Sequence, residues 1–481
     1  MNLTFAEQGI WIGGTWRAAS TGETLDIEDP STGEKVGVLP AGTTDDVDAA
    51  VAAARAAQPG WGGLPAMERG RILTAISRLV LERQEELAAL EVLDVGKPLT
   101  QARADARALA RYLEFYAGAA DKVHGETIPY MDGYTVYTLR EPHGVTGHVI
   151  PWNYPMQIVG RSVVAALVMG NAAVLKPAEQ ASLTAIAFGR IAQEAGLPDG
   201  VLNIVTGTGA VAGAALAGHP GVDHVSFTGS NAVGTAIQTA AARNSVPVTL
   251  ELGGKSPQIV FADADIDRAL PSLVGAAVQN AGQTCSAGSR ILVERSLHDT
   301  LVARLSERFS VLRAGPADRD LDLGPLISAR QLATVQSYLA RGAHDLTLAA
   351  QGVVVADAPA GGHYVPATLF ADVPPGHALA QEEIFGPVAV VIPFDDEDDA
   401  VAIANGTPFG LVAGLWTGDA GRLLRLARRL RAGQVFLNNY GAAGGVELPF
   451  GGVGRSGHGR EKGMEALLSF SQLKTVAAWH G

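Results

Sequence analysis

A single cysteine, Cys285, occurs in the chain, so no disulfide can form within it and no cysteine-based zinc cage can be assembled. Charged residues are sparse at 18%, and the formal net charge is −13. With no overall basic surface to hold a phosphate backbone, nucleic acid is set aside as a partner. Long apolar runs are missing too: the stretch 162–168 breaks at Gly170 and Asn171 before it could span a bilayer. The opening MNLTFAEQGIW lacks the charged start and apolar run of a signal peptide, and a cytoplasmic protein without a membrane partner is expected. Also absent is the dinucleotide fingerprint G-x-G-x-x-G. Gly207, Gly209 and Gly213 come nearest, but their last interval is too long.

What is present points to a compact α/β protein. At 481 residues the chain exceeds the size at which one core keeps growing, so roughly two or three domains are expected. Residues 45–119 are rich in Ala, Leu, Glu and Arg at helical spacing, as in Arg71, Ile72, Ala75, Ile76, Leu79 and Val80. From about 145 the texture changes to short β-branched runs at 145–150, 172–176, 201–206, 222–227 and 247–251, with helical stretches between them. That alternation predicts βαβ units and a parallel sheet. A second series follows, with strands at 257–262 and 290–294 around a helix at 264–279, and further units after 388. Residues 126–142 and 468–479 read as extended segments that pair as an added sheet and complete their hydrogen bonding in an oligomer.

Cys285 sits in GQTCSAGSR, among small and polar residues that let backbone N–H groups approach a substrate. A free thiol titrates near about 8.5, so nucleophilicity at neutral pH needs a local positive field or a base. No histidine adjoins it, and at this level an inert thiol and a nucleophile are both open. Glu251 closes a β-like run in VTLELGGKSP, which delivers a carboxylate into a tight turn at a strand end, where open α/β sheets bind ligands. A salt bridge would account for it equally. Asn153 in PWNYP is stiffened by Pro151 and Pro155, which suits either a fixed amide donor or a plain turn. FTGSNAVG places Gly229 and Gly234 between a strand and a helix start, where free N–H groups favour a phosphate, and VLKPAE brings Lys176 and Glu179 past another strand end.

Taken together, PWNYP, VLKPAE, FTGS, LELGGKSP, GQTCSAGSR, EEIFGPV, and NNY followed by PFGG stand in the order and at the separations of one family. From about residue 10 onward the chain resembles the aldehyde dehydrogenase superfamily. The resemblance implies an α/β fold with a Rossmann-type cofactor domain (1–123 and 143–252), an α/β catalytic domain (253–452), and a small oligomerisation sheet from 124–142 and 453–481. It implies Cys285 as nucleophile, Glu251 as general base, and the Asn153 amide with the Cys285 N–H as oxyanion hole. NAD is the implied cofactor, with NADP as an alternative; no metal is implied. Lys176 and Glu179 would hold the adenosine ribose, and Gly229 and Ser230 the pyrophosphate, with Val233 and Gly234 close by. Glu383 and Phe385 would hold the nicotinamide end, while Ile150, Trp152, Gly209, Phe227, Leu252 and Gly253 complete the cofactor path. Glu179 would disfavour a 2′-phosphate by charge repulsion. The partner is a small aldehyde, and the assembly a homodimer or homotetramer.

Departures from the family pattern bear on the substrate. Tyr154, Ile158, Arg161 and Ser286 are the implied substrate contacts. Arg161 resembles the arginine with which succinate-semialdehyde dehydrogenases grip a carboxylate, yet the second arginine of that pair is here Gln279. A lysine that joins the acid of GREKG in a relay in several relatives is here Ser162, leaving Glu461 as a second acid or as a structural helix residue. The loop 441–445, of Gly and Ala alone, leaves room for a bulky aldehyde. Three competitors are a CoA-acylating dehydrogenase, against which Glu251 argues, a redox-free cysteine hydrolase, which would need a histidine, and a silent protein on the same fold.

Overall fold

The computed structural model describes residues 3–4 and 9–481. Four helices, Thr44–Gly62, Ala66–Glu82, Gln84–Val95 and Leu99–Ala119, occupy the Ala- and Leu-rich stretch. The first opens on a capping box: the Thr43 hydroxyl accepts from Asp46 N, and the Asp46 carboxylate accepts from Thr43 N at 3.0 Å. Such a cap is worth about 1 kcal/mol. Leu73, Ile76 and Val80 on one helix and Leu109, Leu113 and Tyr116 on another recur at three- and four-residue steps, so each helix buries one stripe in a shared core.

That core backs an eight-stranded sheet. Its parallel centre runs Leu202–Ile204, Ala172–Lys176, Val145–Val149, His224–Thr228, Val248–Glu251, the doubly wound order 3-2-1-4-5. The order reverses between Val145–Val149 and His224–Thr228, so the crevice beyond their carboxyl ends is the place for a ligand. All the residues of these two strands are buried, as expected of strands covered on both faces.

A second, seven-stranded sheet is parallel except for its edge strand Thr347–Gln351. Pro257–Val260 and Arg290–Glu294 lie side by side within it, and the helix Ile266–Val278 connects them. The chain passes from the carboxyl end of Val248–Glu251 through 252–256 straight into Pro257, which sets the amino ends of the second sheet against the crevice of the first.

Antiparallel strands Thr127–Ile128, Tyr134–Pro142 and Ser471–Trp479 form a third sheet. The expected extended segment 468–479 begins later than read: 468–469 close the helix Gly463–Ser469, because Ala466 and Leu467 are drawn, fully buried, onto the first core. Within 453–481, Gly457–His458 instead adds an antiparallel edge to the first sheet beside Leu250 and Glu251. No helix among the described residues is long and apolar enough to cross a membrane.

Candidate active site

A cavity of about 830 Å³ lies where the two sheets meet, and Cys285, Glu251 and Asn153 all open onto it. Cys285 is carried on a turn in which Ala287 N donates to Thr284 O at 3.1 Å. The turn is aimed by an unusual approach. Asn280, Ala281 and Gly282 are all left-handed, with φ of 51°, 54° and 73°. A side chain at Gly282 would meet Gly386 O at 2.1 Å, so only glycine passes there.

Asn153 is buried, and its Nδ2 donates to Gln283 O at 3.0 Å, leaving the second amide hydrogen uncommitted. Asn280 Nδ2 in turn donates to Asn153 O at 3.0 Å and to Gln283 O at 3.3 Å, so the two loops are tied together by amides. Gln283 adds Nε2 to Asn280 O at 3.1 Å and accepts from Ile327 N at 2.9 Å.

Glu251 is 1% exposed, and neither carboxyl oxygen has a hydrogen-bond partner among the described residues. Burial, reinforced by Glu461, holds its proton well above the usual carboxylate range, against the pull of Arg161. Burial likewise pushes the Cys285 thiol up to about 11, with Arg161 opposing. Burial thus favours the neutral form of both the thiol and the acid on this cavity.

Arg161 lies on a wide π-turn, Val159–Val164, a local unwinding frequent at functional sites. Its Nε pairs with Glu461, its Nη2 donates to Thr228 Oγ1 at 3.2 Å, and its guanidinium rests 5.0 Å from the Phe450 ring centre. It is thus neither a surface arginine nor a free cation. Glu461, fully buried, also accepts from Ser226 Oγ at 2.9 Å. It stands on a bridge with Phe450 rather than on a helix, which corrects the helical reading: Gly463, with φ of 60°, starts the helix only afterwards. Tyr154, Ile158 and Ser286 line the cavity too, and the Ser286 carbonyl accepts from Tyr440 OH at 2.7 Å.

Of the expected cofactor residues, Trp152, Gly229, Ser230, Leu252, Gly253, Glu383 and Phe385 line this cavity. Ile150, Lys176, Glu179, Gly209, Phe227 and Val233 do not; Ile150, Lys176, Glu179 and Phe227 lie on or just past strands of the first sheet, and Gly209 and Val233 on the helical segments Gly209–Gly213 and Asn231–Ala242. The phosphate turn works differently from the sequence reading. Gly229 N donates to Glu251 O at 3.0 Å and Gly234 N to Ser230 O at 2.8 Å, so neither amide is free. Packing also requires glycine here: an added Cβ would come within 2.5 Å of the Phe227 ring at Gly229 and 2.6 Å of Leu252 at Gly234. Ser230 caps the helix Asn231–Ala242 by accepting from Val233 N at 3.5 Å, which leaves the Asn231 and Ala232 amides as open donors. Lys176 Nζ pairs with Glu179 at 3.0 Å. Glu383 accepts from Gly254 N at 3.0 Å, and burial raises it to about 7. Phe385 meets Trp152 edge-on at 5.3 Å between ring centres.

Residues 16–476 match the aldehyde dehydrogenase family. The chain belongs to that family. Among its relatives, a hydroxyisobutyraldehyde dehydrogenase of Mycolicibacterium austroafricanum is 41% identical over 469 residues, 97% of this chain and 93% of that protein. A protein of Burkholderia cenocepacia described as an aldehyde dehydrogenase superposes with a TM-score of 0.98 at 63% identity, covering 98% of this chain and 100% of that one. An NAD-dependent aldehyde dehydrogenase of Sinorhizobium meliloti gives 0.95 at 41%, covering 100% and 96%. Membership makes this chain an oxidoreductase of the aldehyde group.

Within this aldehyde dehydrogenase, sequence reasoning passed over Asn280 and Gln283, which bind the catalytic loop to Asn153, and Lys462, Phe450 and Tyr440, which line the cavity. The run QNAGQTC carried a usable signal, since amide side chains before a lone cysteine suit a hydrogen-bonded loop. Lys462 stood in view beside Glu461 in GREKG, but nothing in that string tells which neighbour faces inward.

Proposed function

We propose that this chain oxidises an aldehyde to its carboxylic acid with NAD, by way of a thioester on Cys285 that water cleaves. The observation that carries the reading is the meeting of a lone thiol, an unbonded buried carboxyl and a half-committed amide in one cavity at the switch point of a doubly wound sheet.

The residues fit a dinucleotide. The open amides of Asn231 and Ala232 suit a pyrophosphate at a helix start, and Glu179 suits ribose hydroxyls. Trp152, Phe385 and Glu383 form the opposite end of the path. NAD, when bound, supplies the hydride acceptor. The pairing of Lys176 with Glu179 softens the expected bias against a 2′-phosphate, so NADP stays a secondary cofactor.

Attack by Cys285 converts the aldehyde oxygen to an oxyanion, which the free Asn153 amide hydrogen and the Cys285 N–H stabilise where the charge develops. Because burial pushes the thiol up to about 11, its proton must pass to a base as it attacks; Glu251 in its ionised form, on the same cavity, can accept it, and Arg161 is the cation whose field favours the thiolate. Glu251 then activates the water that cleaves the thioester. A buried carboxyl with a raised pKa is a stronger base than a solvated one. Its presence supports water over CoA as acceptor.

The sheet of Tyr134–Pro142 and Ser471–Trp479 supports a homodimer or homotetramer. Its edge strand runs nine residues, and Leu473 and Trp479 on it are 56% and 66% exposed. The test of the function is absorbance at the NADH wavelength with aliphatic, aromatic and acidic aldehydes, each with NAD and NADP. Aldehyde-dependent NADH formation is expected; thioester cleavage without any NADH would favour a hydrolase.

A further inference from the structure

Lys462 has a backbone conformation, φ 59° and ψ 168°, that is essentially confined to glycine. A lysine held there costs stability, and such outliers persist where the surroundings give them a use. Its side chain is led into the substrate cavity, where Nζ lies 5.4 Å from the Phe450 ring centre and 5.9 Å from that of Tyr112. It makes no ion pair and no hydrogen bond among the described residues.

Charge around it is unbalanced. The groups that act on Lys462 are Arg161, Glu461, Glu251 and Cys285. Arg161 and Glu461 neutralise one another as an ion pair. Burial favours the neutral form of Glu251 and pushes the Cys285 thiol up to about 11, so neither is a settled counter-ion. Phe450 faces two cations, Arg161 and Lys462, of which Arg161 alone is in an ion pair. Burial and Arg161 together lower the lysine to about 8, so its charged form is short of a counter-ion.

We propose that the Lys462 ammonium is the receptor for a carboxylate on the substrate, which makes the preferred substrate an oxo acid bearing its aldehyde at the other end. The proposal rests on the aldehyde dehydrogenase reading of the same cavity and names its substrate class. Arg161, which Glu461 already occupies, supports the Phe450 wall rather than gripping the acid. A cation on the wall of the cavity that also holds the thiol fixes one end of the chain while the aldehyde end reaches Cys285.

The test uses the full-length enzyme with straight-chain ω-oxo carboxylates of different lengths and their methyl esters, which keep the shape and lose the charge. The wild type is expected to favour the acid of at least one length by roughly 10- to 100-fold in kcat/KM, the range of one charge-assisted contact. Lys462→Met should lose that much more on the acid than on the ester, chiefly through KM, and Lys462→Arg should restore the preference. Esters outrunning acids at every length would overturn the proposal, and so would equal losses on acid and ester in Lys462→Met. Either result leaves NADH formation intact and the oxidation itself standing. Silence with every ω-oxo acid while another aldehyde still yields NADH would also overturn it, whereas absence of NADH from every aldehyde tried would count instead against the aldehyde-oxidation reading on which the proposal rests.

Discussion

Asn280→Ala is the perturbation that most sharply separates a loop holding the catalytic groups from a loop merely near them. Asn280 donates to Asn153 O at 3.0 Å and to Gln283 O at 3.3 Å, from a left-handed backbone with φ of 51°. Alanine removes both donors. The Gln283 carbonyl keeps Asn153 as a donor, so the net loss is one bond to the buried Asn153 carbonyl, about 1–3 kcal/mol. Alanine also tolerates the left-handed region less well than asparagine, by about 1 kcal/mol. Destabilisation of roughly 2–4 kcal/mol is expected in denaturant unfolding. Because the Asn153 amide is then free to drift from the oxyanion position, kcat should fall roughly 10- to 100-fold, with the KM for NAD little changed. Asn280→Gly separates the terms: glycine accepts the backbone, so it should recover about 1 kcal/mol of stability and none of the rate. A kcat within about twofold of wild type in Asn280→Ala would refute the reasoning, since the oxyanion donor would not depend on this tie.

Arg161→Met should destabilise the protein by about 3–5 kcal/mol in denaturant midpoint measurements, because fully buried Glu461 would keep only Ser226 Oγ as partner. Unchanged stability would deny that the pair is formed. Glu179→Gln should raise kcat/KM for NADP roughly tenfold by removing the carboxylate and leaving Lys176 unpaired to meet a 2′-phosphate; no change in initial rates would place Glu179 away from the ribose. Glu251 must shed its proton to act as a base, and burial raises its pKa, so single-turnover hydrolysis of the thioester should accelerate with rising pH over a range above that of an ordinary carboxylate. Glu251→Gln should abolish that limb, whereas a flat wild-type profile would contradict the assignment.

Strand identity was legible because strands covered on both faces show as β-branched runs, and 145–150, 172–176 and 247–251 appear close to their observed bounds. The order of those strands was not legible, since periodicity carries no information on which neighbours pair. Cys285 and Asn153 could be singled out because each sits in a string of small or rigid residues, and Glu251 because it closes a strand into a glycine turn. Gly229 and Gly234 were legible as glycines needed at that turn but not in their purpose: only the positions of Phe227 and Leu252 show that they make room for packing. Arg161 and Glu461 are separated by 300 positions, and no local pattern pairs them; the contact comes from Gly457–His458 adding to the edge of the first sheet. The inward direction of Lys462 depends on its positive φ, which a lysine in the sequence argues against.

The central claim is that Cys285 carries the acyl group and Glu251 releases it. Its most direct test is mass spectrometry of Glu251→Gln, denatured shortly after mixing with NAD and an aldehyde that the wild type oxidises. The account predicts a mass increase equal to the acyl group, located on the peptide that contains Cys285 and lost in Cys285→Ser. An unmodified Cys285 peptide, together with near-wild-type turnover in Cys285→Ser, would contradict it.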